Sequence, residues 1–289
     1  MRYRVHAARV IARHALLEAL TGPGFYLALA AGLLVGYAVV RGFVGAIDSS
    51  GFNPALNPLT DLANRALGGA FGETFMEKLF AEGPFLFALV ASFLPVFLFL
   101  AVTSVLTFGL EKGTGAVELI TYGPADGTAY LLASLARDVV LTAVTLAVLL
   151  AQAALAAALY NLALGPTFLV AIPILLLVAI AIYAFGLLAS VVTATGSSAL
   201  ALFLGVLILF LAVLVGSLAI TSEYVRTLAT VVSWVVRWAS PFFYGSLCLQ
   251  GLFGGRPLAV AGGLVLLALL AGLVLTASHL VIRLRGVRA

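Results

Sequence analysis

The chain has 289 residues, of which 64% are hydrophobic and only 9% are charged. A soluble globular domain lies nearer half apolar and a quarter charged, so this composition excludes one and marks an integral membrane protein. The formal net charge of +4 is small, and in such a chain the placement of charges carries more than their sum. The single cysteine, Cys248, excludes an internal disulfide and a cysteine-built metal cluster. His6, His14 and His279 lie near the termini, which argues against a haem held inside a bundle.

Residues 2–20, RYRVHAARVIARHALLEAL, read as an amphipathic helix. Arg2, His6, Arg9 and Arg13 share one stripe; Val5, Ala8, Ala12, Leu16 and Leu20 lie on another side. The pattern predicts an interfacial helix, with its cations at headgroups and its apolar side in the acyl boundary. The apolar run that follows is too long for a signal-peptide core and has no convincing cleavage site, so it reads as retained.

A membrane crossing needs about 20 apolar residues. Six segments meet that length: 24–46, 84–109, 137–160, 167–193, 198–220 and 257–280. With six spans both ends share one side. Arg2, Arg4, Arg9 and Arg13 at one end, and Arg283, Arg285 and Arg288 at the other, place that side in the cytoplasm. The expectation is a multi-pass protein of the cell membrane.

Between the first two spans, residues 47–83 form an outer loop with two short helical stretches, TDLANRALG and GETFMEKLFAEG. After the second span comes the longest polar interruption, EKGTGAVELITYGPADG at 111–127, which faces the cytoplasm in this topology. Residues 222–240 carry Glu223, Arg226, Thr227, Thr230, Ser233 and Arg237 along one helical face. Val225, Leu228, Val232, Val235 and Trp238 lie opposite. That stripe is costly in lipid and natural at an interface or a cavity wall, so Glu223, Arg226 and Arg237 are placed at the outer mouth of a pathway. Pro241 halts the helix, and SPFFYGSLCLQGLFGG is too short to cross. Residues 221–256 therefore read as a re-entrant or interfacial helical pair before the last span.

The chain has no phosphate-binding P-loop, no H-E-x-x-H, no G-x-S-x-G and no cluster of carboxylates, so it reads as neither an enzyme nor a metal site. The middles of the six predicted spans carry no charge; Arg137 and Asp138 open the third. Gln152, Tyr160, Ser190 and Thr193 are polar groups of the kind that hold helices together. Proton- or sodium-driven carriers use intramembrane carboxylates or arginines. Their absence from the span centres points to energy supplied by another polypeptide.

The stretch E-K-G-T-G-A-V-E-L-I-T-Y-G-P resembles the cytoplasmic motif of the type-2 ATP-binding-cassette (ABC) exporter permeases. Glu111, Gly115, Glu118, Leu119 and Pro124 carry the resemblance, with Ala116 where the family has threonine. Asp126 and Gly127 stand where members have serine and arginine, and Ala133–Ser134 where they have a lysine. The resemblance implies an all-α integral membrane protein forming one permease domain over 1–289. Its parts would be six transmembrane helices, an N-terminal amphipathic elbow helix (1–22), a cytoplasmic coupling helix in 111–127 and the re-entrant pair. It also implies a second permease copy or homologue, surrounding lipids, no nucleic acid, and two copies of a separate ATPase that bind the ATP and magnesium. In the coupling helix Val117, Leu119 and Ile120 would be apolar knobs for the ATPase, with Glu111 and Glu118 pairing with its cations or capping amides. The alternatives are a secondary transporter or channel without an ATPase, and a non-transporting scaffold.

Overall fold

The structure, a computed structural model, describes residues 2–48, 84–115, 126–216 and 234–285. Its helices are α1 (Arg2–Thr21), α2 (Pro23–Asp48), α3 (Pro84–Gly113), α4 (Gly127–Tyr160), α5 (Pro166–Val192), α6 (Gly196–Gly216), α7 (Pro241–Phe253) and α8 (Pro257–Arg285). There is no strand among the described residues. Six helices, α2 to α6 and α8, are long and apolar enough to cross a membrane. Lipid offers no partners for backbone amides, so helices with all bonds made internally are the expected solution.

Sequence punctuation fixes where these helices begin. Five open on a proline, whose missing N–H costs nothing in a first turn and whose φ is already helical. The third span starts differently and earlier than the expected residue 137. Asp126 caps it, its side chain accepting from Ala129 N at 2.9 Å, and α4 then runs from Gly127 to Tyr160. Arg137 and Asp138 therefore do not open the helix; they lie about ten residues, roughly 15 Å, inside it.

The centre of the bundle is built by α3 and α5. Val96, Val105, Tyr183 and Ala184 are fully buried there, and the outer faces of α2, α6 and α8 turn exposed Leu27, Ile208, Leu269 and Leu273 outward, as lipid-facing helices do. Helix α2 lies close against α3 because Gly32 and Gly36 leave room: a Cβ on Gly32 would fall 2.5 Å from the Ser92 carbonyl oxygen, and one on Gly36 would collide with Ser92 Oγ. This is the small-xxx-small contact by which membrane helices approach without a hydrophobic drive.

Helix α1 packs on α4. Leu16, Ala19 and Leu20 join the main core, and Ile11 joins a second cluster with Phe108, Tyr130, Leu131 and Ile282. Leu16, Ala19 and Leu20 thus pack partly against protein, while Val10 and Leu17 are exposed along with His6, Arg9 and Arg13. The tail of α8 reaches the same end, with His279 Nδ1 2.8 Å from Thr128 Oγ1. That end is called the α1 end below, and the opposite one the far end.

Candidate functional site

The most polar part of the described bundle is a layer toward the α1 end, where α1, α3 and α4 meet. Asp138 is fully buried. Its Oδ1 accepts from Arg137 Nε at 2.9 Å and pairs with Arg137 Nη2 at 2.8 Å. Neighbouring residues on a helix point about 100° apart, so this pair closes only because the arginine side chain curls back on its neighbour. Ser104 of α3 stands against the carboxylate. Ser104 Oγ and Asp138 Oδ2 nevertheless have no hydrogen-bond partner of ordinary geometry among the described residues.

One turn or two further toward the α1 end, Glu111 of α3 feels the charges of Glu18 on α1 and Arg137 on α4. Glu111 is half-buried, and its Oε2 also has no hydrogen-bond partner among the described residues. Between these helices lies a cavity of about 180 Å³, with Glu18, Phe25, Thr103, Thr107, Arg137 and Leu141 among its walls. Arg137 thus stands between two carboxylates, the buried Asp138 and the half-buried Glu111, with exposed Glu18 at the edge of the junction. Buried charges without full compensation are expensive and tend to be functional.

Next to it Lys112 ties α3 to the corner between α5 and α6. Its Nζ donates to Val191 O at 3.1 Å and Thr193 O at 2.7 Å, the carbonyls that α5 leaves free at its end. Beyond Lys112 the chain turns out of the helix at Gly115, whose φ of +74° lies in the left-handed region that a side chain resists. The backbone N–H of Gly115 donates to Lys112 O at 3.1 Å. Deeper in the bundle Thr142 Oγ1 and Tyr183 OH lie 2.9 Å apart, joining α4 to α5, and Ser190 Oγ donates to Val105 O at 3.1 Å.

Of the residues the sequence singles out, Glu111 and Gly115 fall at this junction and its exit. Val117, Glu118, Leu119, Ile120 and Pro124 lie outside the described residues, as do Glu223 and Arg226. Arg237 is described and exposed, its guanidinium carbon 5.2 Å from the centroid of the Phe243 ring. Its described surroundings, 234–239, are helical up to a break at Ser240–Pro241 before α7.

The sequence reading missed Lys112, Glu18 and the depth of the Arg137–Asp138 pair. It also missed a second cavity, about 300 Å³ and mostly apolar, between α2, α3, α4 and the start of α5. Gln152 lines it and donates to Leu33 O at 2.7 Å. No group of three or more potential metal ligands occurs among the described residues.

Fold and site together define a class: a multi-pass, all-α membrane protein with a charged junction between its helices. Compared with known proteins, the sequence matches no family model and no curated sequence.

Proposed function

We propose that the chain is the membrane-spanning permease subunit of an ATP-driven exporter of the type-2 ABC class. In this reading it does no chemistry itself. Two permease copies or homologues enclose the path, two copies of a separate ATPase drive it, and both termini face the cytoplasm. Helix α1 then serves as the elbow, the 111–127 segment as the coupling element, and the broken pair around Ser240–Pro241 as the re-entrant segment.

The observation that carries the reading is how the 116–125 segment is hung. On one side Lys112 clasps the α5–α6 corner, and on the other Asp126 caps α4. A load applied to the segment would therefore reach α3, α4 and α5 together, which is what a coupling element between an ATPase and a bundle requires. The motif at Glu111, Gly115, Glu118, Leu119 and Pro124 supports the same reading.

Glu118→Arg and Leu119→Asp test it. Each should leave membrane insertion and the thermal melt of the purified chain unchanged while abolishing capture of the ATPase and ATP-driven transport. Full capture and transport by both variants refutes the proposal, as does recovery of the native protein without any ATPase in every mild detergent. A second reading, a carrier that needs no ATPase, draws on one observation, the buried Arg137–Asp138 pair, since such pairs serve ion-coupled carriers. Uptake driven by an ion gradient in vesicles lacking ATP would favour it.

A further inference from the structure

The far half of the bundle holds an exposed cation beside a helix break. Helices α7 and α8 form a tight antiparallel hairpin. Gly251 meets Ala259 and Val260 near the turn, Gly263 meets Cys248, and Tyr244 packs on Leu267 and Ala271. This register sets Pro241 level with about Leu270, some twelve residues or roughly 18 Å from the far end of α8. Phe242 agrees: it lines a cavity of about 170 Å³ with Phe93, Ile174 and Val178, well down α3 and α5. The hydrocarbon layer is about 30 Å thick, so the Ser240–Pro241 break falls within it.

Arg237 lies one turn before that break, its guanidinium over the Phe243 ring. It makes no ion pair with any described residue. The described carboxylates Glu18, Glu111, Asp126 and Asp138 all belong to the α1 end, and Asp48 closes α2 at the far end. Lipid tails alone are a poor environment for an exposed guanidinium at this depth.

Around it runs a row of aromatic rings. Trp234 and Trp238 are 6.1 Å apart by centroids, Trp238 and Phe243 6.1 Å, and Phe243 and Tyr244 5.6 Å. Tyr244 OH donates to Trp238 O at 2.8 Å and fixes the bend. Trp234, Val235 and Trp238 are exposed. Behind them Ser240 is buried, and its Oγ neither caps α7 nor bonds elsewhere among the described residues. A cation, the start of a half-helix and an unbonded hydroxyl thus converge beside an apolar wall, and a half-helix start favours negative charge.

We propose that Arg237 and the Trp234–Trp238–Phe243 row bind an anionic amphiphile. Its phosphate or carboxylate head meets the guanidinium, and its alkyl chain lies along the exposed indoles. As a cargo contact this rests on the permease reading; as a binding site it does not.

The chain contains two tryptophans, both in the site, so intrinsic fluorescence reports on it directly. The full chain, in nonionic micelles, is titrated with brominated dodecyl phosphate and, separately, with brominated dodecyltrimethylammonium. The expected result is saturable quenching by the phosphate and only linear partition quenching by the ammonium. Unlabelled dodecyl phosphate should displace the quencher, whereas inorganic phosphate at the same concentration should not. Arg237→Gln should weaken binding at least tenfold, and Arg237→Lys should restore most of it. Equal quenching by both headgroups, or unchanged affinity in Arg237→Gln, overturns the proposal. Displacement by inorganic phosphate alone overturns the amphiphile in favour of a small-anion site. The wild-type comparison of the two quenchers decides the matter even where a variant fails to fold. Lost binding with intact ATPase capture removes only this inference, and binding without ATPase capture removes only the permease reading.

Discussion

The Arg137–Asp138 pair makes a quantitative forecast because its two halves are buried unequally. Asp138 is completely enclosed, whereas Arg137 reaches the wall of the 180 Å³ cavity. Arg137→Leu strands a carboxylate with only the Ser104 hydroxyl beside it: Oδ1 loses both guanidinium contacts, and Oδ2 has no bond of ordinary geometry among the described residues. Leaving one partner of a buried ion pair uncompensated costs about 3–5 kcal/mol. Asp138→Asn is milder. The amide oxygen still accepts from the guanidinium, and the guanidinium's free edge can be hydrated from the cavity, so the loss is about 1–2 kcal/mol. Arg137→Met with Asp138→Leu removes both desolvation costs and should lie within about 1 kcal/mol of the native protein. The order of stability is therefore the double variant near native, then Asp138→Asn, then Arg137→Leu. The coupling term in the double-mutant cycle should be large and favour the pair. Equilibrium unfolding in mixed micelles with a rising fraction of dodecyl sulfate, followed by loss of helicity, measures it. Equal losses in the two single variants with simple addition in the double would refute the buried, coupled pair.

Other positions give sharper but smaller tests. Gly36→Val should separate α2 from α3 and lower stability by about 1–3 kcal/mol, because its Cβ meets Ser92 Oγ, whereas Gly42→Ala, with open space around it, should melt like the native protein. Lys112→Met should cost about 2 kcal/mol by leaving Val191 O and Thr193 O without their donor, read as a lower detergent melting temperature. Tyr183→Phe alone should cost about 1–2 kcal/mol by orphaning the buried Thr142 hydroxyl, and adding Thr142→Val should recover most of that in the same melt.

The spans were legible because crossing a membrane is a matter of apolar length, and length is written directly in the sequence. The start of α4 is written in its cap rather than in its hydropathy. Asp126–Gly127–Thr128 has the form of a helix cap, but the continuous apolar run begins after Asp138, and weighting hydropathy above capping hid the first ten residues. That choice also hid the depth of the ion pair. Gly32-xxx-Gly36 follows a known packing spacing and could have been read as a contact, though not its partner, Ser92. The clasp of Lys112 on Val191 O joins residues 79 apart in the chain, and no local pattern announces it. Nor does anything local place Glu18 beside Glu111; that follows from the way α1 lies on α4.

The distribution of tight and loose packing says where this bundle can give. Helix α2 is locked to α3 at Gly32 and Gly36, α3 meets α6 at Gly109 and Gly196, and α7 is locked to α8 at Gly251 and Gly263. Each is a close approach to backbone or to a short side chain that a small sideways shift would open, losing close contacts on both sides. Helix α4 meets α2 through a side chain: Gly36 stands against Gln152, which donates to Leu33 O. The 300 Å³ cavity lies between those two helices toward the far end, and the 180 Å³ cavity lies beside α4 and α1 toward the other. The interfaces of α4 combine polar contacts, Gln152 to Leu33 and Thr142 to Tyr183, with apolar packing of Tyr130 on Phe108 and of Leu141, Leu146 and Leu149 in the main core. A displacement of α4 against α2 would therefore be taken up at the cavity and at Gln152, whereas one against α3 would part Phe108 from Tyr130 and move Arg137 and Asp138 relative to Ser104 and Glu111. The orphaned atoms of that junction are the ones such a shift would pair differently.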